Sequence, residues 1–152
     1  MEFILQFAVA FFATVSFAVL FHVPQKEYWC CGLVGAVGWL CYLLTDYFHH
    51  SVVLASFAAV LILTALSRVF AVWRRMPSTV FLICGIFPLV PGAGIYYTVY
   101  YFIMGQNALA LDKGVETFKI AVAIALGIVL VLSLPYSFFG RRKQANHKTD
   151  GG

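Results

Sequence analysis

The strongest chemical signal in this chain is the segment Pro88-Leu89-Val90-Pro91-Gly92-Ala93-Gly94-Ile95-Tyr96-Tyr97, set inside an apolar run over 79–104. Two prolines remove amide donors and clash with the preceding turn, and two glycines relax the backbone, so a helix entering this run is expected to break at mid-depth in a membrane. The halves, 80–87 and 93–104, would measure roughly 12 Å and 18 Å and together cross one bilayer core. A break of this kind aims amides near Gly92, Ala93 and Gly94 at the membrane centre, where they suit an anion. The carbonyls of Cys84, Gly85 and Ile86 face it from the other half and suit a cation. Irregular backbone at membrane depth is tolerated only where it is buried or lines a cavity, and transporters use such breaks as binding sites. Pro88, Pro91, Gly92, Ala93 and Gly94 are therefore candidate substrate-site residues, with Tyr96 and Tyr97 supplying the nearest hydroxyls. A kink serving only helix packing is the competing reading.

Other reactive residue types give weaker patterns. Asp46, His49 and His50 have the i, i+3, i+4 spacing that could gather a carboxylate and two imidazoles around a metal, or could form a polar cap between two spans. Cys30, Cys31, Cys41 and Cys84 make no C-x-x-C pair and read as small buried hydrophobes, with no metal or redox site. Arg68 lies about one and a half turns before Arg74 and Arg75, close enough to snorkel to the same interface; a buried substrate-binding Arg68 is the sharper alternative. None of the six acids, Glu2, Glu27, Asp46, Asp112, Glu116 and Asp150, falls at mid-membrane, so a carboxylate for ion coupling has to come from elsewhere. No nucleophile has a plausible base and no cofactor is called for, so an enzyme is not expected.

The elements that must position these residues follow from composition. The 152 residues are 62% hydrophobic and 11% charged, which fits an all-α integral membrane protein and no soluble class. Five transmembrane helices are expected, at about 3–21, 28–44, 51–73, 79–104 and 118–134, the fourth broken at P-x-x-P-G-x-G, within one transmembrane domain over 1–140. The first has a length and an uncharged start that fit a retained helix rather than a signal peptide, with Gln6, Thr14 and Ser16 available for interhelical hydrogen bonds. Gly32, Gly35 and Gly38 give the second span a face that another helix backbone can approach closely, and a partner subunit is one occupant for it. Ser78 or Thr79 is placed to cap the broken helix. The longest loop is expected over 105–117, Gly127 is the close-packing position of the last span, and 141–152 reads as a basic disordered cytoplasmic tail.

Of the ten Lys and Arg, five spans put Lys26, Arg68, Arg74, Arg75, Arg141, Arg142, Lys143 and Lys148 on one side, with Lys113 and Lys119 on the other. Positive residues favour the cytoplasm, so the N-terminus is expected outside and the C-terminus inside. The net charge of +4 then reflects orientation, and nucleic acid is not an expected partner.

Three stretches, Phe17-Ala18-Val19-Leu20-Phe21-His22-Val23-Pro24, Gly32-Leu33-Val34-Gly35-Ala36-Val37-Gly38-Trp39 and Pro88 to Tyr96, together with Pro77, resemble the small, YjjB-type subunit of the threonine/serine exporter family. The resemblance covers about 17–101. It implies a five-span protein of the bacterial inner membrane that works with a larger, YjjP-type subunit, exporting threonine and serine or, in some two-subunit members, succinate. It carries over no binding residues. Three functions therefore compete: an exporter subunit for small polar metabolites, a channel-type subunit, and a structural membrane subunit without its own substrate site.

Overall fold

The computed structural model describes residues 2–135 and contains six α-helices: α1 (Glu2–Leu20), α2 (Tyr28–His49), α3 (Val52–Arg74), α4 (Ser78–Ile86), α5 (Gly92–Ile103) and α6 (Asn107–Ser133). Single 3-10 turns precede α2, at Gln25–Glu27, and follow α4, at Phe87–Leu89, and no strand occurs among the described residues. The tail over 141–152 lies outside them. Three helical stretches, Gln25–His49, Val52–Arg74 and Asn107–Ser133, are long and apolar enough to cross a membrane, and α4 with α5 makes a fourth if the bent pair is one span. The apolar part of α1, Ile4–Leu20, is shorter.

Left-handed residues close the second and third helices. His50 and Arg75 take the left-handed conformation usual for glycine, at φ 47° and 57°, and their amides bond back to Asp46 and Ala71. An imidazole and a guanidinium beside the last carbonyls of a helix sit at its negative end. Pro77, rather than Ser78 or Thr79, occupies the N-cap of α4, and no side chain caps that helix. Proline fixes the entry angle there and needs no donor, so the expected hydroxyl cap has no place.

Helix α2 packs against α1, α3 and α4; α3 packs against α4 and α6; α5 rests chiefly on α6. The core between them includes Cys31, Val34, Ala59, Val60, Leu63, Phe81 and Cys84. In lipid, helices associate through close packing rather than hydrophobic exclusion, and glycines set the spacing. A Cβ on Gly35 would lie 1.9 Å from Thr14 Oγ1, and one on Gly38 would lie 2.9 Å from Leu63 Cδ1. Gly32 faces the Phe11 ring. The small-residue face of α2 is thus consumed within the chain by α1 and α3 and is not open to a partner. Gly127 closes α6 onto α3 in the same way, 2.9 Å from Val60 Cγ1. Gln6 makes the interhelical bond, accepting from Trp39 Nε1 at 3.3 Å, whereas Thr14 and Ser16 donate to their own helix at Ala10 and Phe12.

The loop expected over 105–117 is helical from Asn107 onward. Gly105, at φ 72°, completes the turn almost alone, helped by Gln106 N–H donating to Tyr101 O at 2.9 Å. Polar residues after it belong to an exposed helix face: Lys113 pairs with Glu116 at 2.8 Å and Thr117 donates to Lys113 O at 2.7 Å.

Candidate functional site

The break sits between Ile86 and Gly92 and bends the α4–α5 pair by 48°. Each residue has a distinct part. Pro88 lacks the N–H that would bond the Cys84 carbonyl one turn back, so α4 tightens into the 3-10 turn, closed by Val90 N–H donating to Phe87 O at 3.2 Å. Pro91, at φ −65° and ψ 56°, makes an inverse γ-turn in which Gly92 N–H reaches Val90 O at 2.5 Å. Helix α5 then begins, with Ile95 N–H on Pro91 O at 3.1 Å. Helical geometry gives the first-turn amides of Ala93 and Gly94 no acceptor within α5. Phe87 anchors the break to α1 by stacking on Phe17, 4.2 Å between ring centres.

Beside the break, α5 and α6 enclose a groove with two adjoining parts of about 490 and 600 Å³. Pro91, Ile95 and Thr98 line the end nearest the break, with Gly114, Thr117 and Ala121 opposite. Its walls are apolar except for a few polar groups, chiefly the Thr98 and Thr117 hydroxyls and, farther along, Asn107. Each threonine donates to its own helix, Thr98 to Gly94 O and Thr117 to Lys113 O, both at 2.7 Å, and each oxygen keeps acceptor capacity. A groove of this size with sparse, placed polar groups suits a small molecule.

A family model described as Threonine/Serine exporter, ThrE, matches residues 6–134, from the first turns of α1 through the end of α6. The chain belongs to the threonine/serine exporter family. It is accordingly a multi-pass membrane transport protein. No solved structure matches it.

Within this exporter-family fold the sequence-predicted site residues separate. Pro91 lines the groove, and Gly92 and Ala93, next to it in the chain, are exposed and absent from the lining, a Cβ on Gly92 meeting nothing within 4 Å. Neither Gly92 nor Gly94 has a positive φ, so the break needs no glycine-only angle. Gly94 is a packing residue: its Cβ would lie 2.3 Å from Thr117 Oγ1, which sets α5 against α6. Tyr96 and Tyr97 are exposed and are absent from the groove lining, stacking instead on Tyr100 and Tyr101 along α5. Thr98, Gly114 and Thr117 are groove residues that sequence reasoning passed over. Their signal was a pair of small-residue faces, Gly94 with Thr98 and Gly114 with Thr117, one turn apart on facing helices.

The remaining candidates have structural settings. His50 leaves α2 as its cap while Asp46 and His49 stay on it, and no group of three His, Cys, Asp or Glu side chains gathers among the described residues. Arg68 does not snorkel. It is 1% exposed and donates to the carbonyls of Val131, Leu132 and Leu134 at the end of α6. Arg74 instead takes the interfacial place, gripping buried Glu27 through Nε at 2.8 and 3.0 Å and tying the α1–α2 turn to the end of α3.

Proposed function

We propose that this exporter-family chain is the small, YjjB-type subunit of a two-component secondary exporter, that its substrate is threonine or serine, and that it is a carrier rather than an enzyme. The observation that carries the reading is the helix break opening beside the α5–α6 groove. A substrate carboxylate meets the open amides of Ala93 and Gly94 at the positive end of α5. The ammonium turns to the end of α4 at half-buried Ile86, beyond the buried Cys84 and Gly85. The substrate hydroxyl donates to Thr98 or Thr117 in the groove. Tyr96 and Tyr97 serve such a site only where the larger, YjjP-type subunit closes over their face of α5. Succinate is the second reading, and it is disfavoured because no Lys, Arg or His lines the groove to hold a second carboxylate.

Five spans are part of this proposal, in a bacterial inner membrane with the N-terminus outside and the C-terminus cytoplasmic. Helix α1, at 19 residues, is about 28 Å long, close to one bilayer core. Along α3 and α6, Val60 meets Gly127 and Arg68 meets the carbonyls from Val131 onward, so the two helices run parallel. Parallel neighbours need one crossing between them, which supports α4 and α5 together as a single broken span.

Gly92→Val tests the site. A side chain there enters open space at the first turn of α5 without disturbing packing, so membrane insertion and partner binding are expected to persist while threonine export by the co-expressed pair falls about tenfold, as for loss of one 1.4 kcal/mol contact. Export at the parent rate would place the site elsewhere.

A further inference from the structure

Helix α5 has no buried residue and packs chiefly on α6, whose own second half is seated on α3. Among the described residues the α5–α6 pair is therefore joined to the rest of the molecule chiefly at two places, the peptide through the Val90–Pro91 break and the α3–α6 seam. Gly94 against Thr117 and Gly114 against Thr98 lock α5 to α6, so the two move together if they move at all. Three features define the seam: Gly127 against Val60, Arg68 against the end of α6, and Thr64 between them. Thr64 lies four residues from both Val60 and Arg68 and so shares their face of α3. Its hydroxyl is fully buried and has no hydrogen-bond partner among the described residues.

Arg68 reaches across the seam to the end of α6. Its guanidinium is buried and donates to carbonyls of Val131, Leu132 and, at 2.7 Å, Leu134, the groups a helix end leaves without intrahelical partners. A cation there also meets the negative end of the α6 dipole. Such a cap belongs to one position of α6 along α3, and losing it strands carbonyls at a buried helix end. The Thr64 hydroxyl one turn away is a buried polar group that this position of the seam leaves without a partner among the described residues.

We propose that Arg68 is a conformational pin: it holds the α5–α6 pair in the described position against α1–α4, and releasing it lets the pair shift along the seam about the Val90–Pro91 break. Interfaces of packed helices switch between discrete positions rather than deform continuously, the large step being one helical turn. The inference stands whatever the substrate is, because it concerns only how the two bodies meet.

The test uses the full chain in lipid, with Cys30, Cys31, Cys41 and Cys84 replaced by alanine and spin labels at Leu44→Cys on α2 and Ile103→Cys on α5, both exposed. Pulsed electron resonance then reads the distance between the bodies. With Arg68 a single narrow distribution is expected. Arg68→Gln is expected to add a second population displaced by about 5 Å, one turn. Arg68→Lys, a point charge without the guanidinium fork, is expected to show a smaller second population. A folded Arg68→Gln variant with the parent distribution overturns the pin. Should Arg68→Gln fail to fold, Arg68→Lys decides: a second population supports the pin, and the parent distribution overturns it.

Discussion

Gly94 and Thr117 show how one absent Cβ decides where a helix sits. Sequence reading grouped Gly92 with Gly94 as backbone-relaxing partners of the prolines, yet only Gly92 borders open space, and Gly94 is pressed against a residue on another helix. The missing information was the identity of the opposing residue, which no local pattern supplies. Gly94→Ala is expected to lower stability by about 1–3 kcal/mol through overpacking, less whatever alanine gains as a better helix former. Gly94→Ala with Thr117→Ala should recover most of the loss, read as the melting temperature in detergent; no recovery would mean that Thr117 is not the obstacle. The groove hydroxyls make a separate residue-scale prediction. Thr98→Val keeps shape and removes an acceptor, so the KM for threonine export should rise about fivefold, near 1 kcal/mol for one hydrogen bond, with little change for alanine as competitor. Equal effects on both would assign Thr98 to packing.

At the scale of elements, the helix break was legible because Pro88 and Pro91 act through local covalent geometry: one lacks a donor, the other sets a γ-turn. The apolar runs of α2 and α3 were legible for the same reason, since hydropathy and length belong to the segment itself. The start of α6 was not. The stretch 105–117 was expected as a loop, although Lys113, Glu116 and Thr117 bond to one another along a helix. Amide hydrogen exchange should separate the two descriptions. Amides over 111–117 are expected to exchange orders of magnitude more slowly than an open chain, because each is hydrogen-bonded within α6. Exchange at open-chain rates would restore the loop. Arg68 was weighed as an interfacial or substrate-binding group, and its role as a cap depended on a helix end 63 or more residues away, beyond the reach of any sequence period.

At the scale of the whole molecule, the bundle of α1–α4 closes on itself through its glycines, while α5 presents exposed tyrosines and a groove lined, among the described residues, by α5, α6 and the break. The partner surface expected on Gly32, Gly35 and Gly38 is thereby spent, and under the two-subunit proposal the larger subunit would take the α5–α6 side. The proposed topology rests on charge. An N-terminal tag and Gln106→Cys should react with an impermeant reagent from outside, and Gln25→Cys only after permeabilisation; reaction of all three from outside would remove α1 from the spans. The central claim, that this chain carries threonine or serine through its break as one of two subunits, is tested most directly by counterflow. Proteoliposomes holding the chain and its larger partner, preloaded with unlabelled threonine, should take up labelled threonine faster than unloaded vesicles, with Gly92→Val lowering that uptake about tenfold and neither subunit sufficing alone. Full counterflow by this chain alone, or uptake that ignores preloaded threonine when both subunits are present, would contradict it.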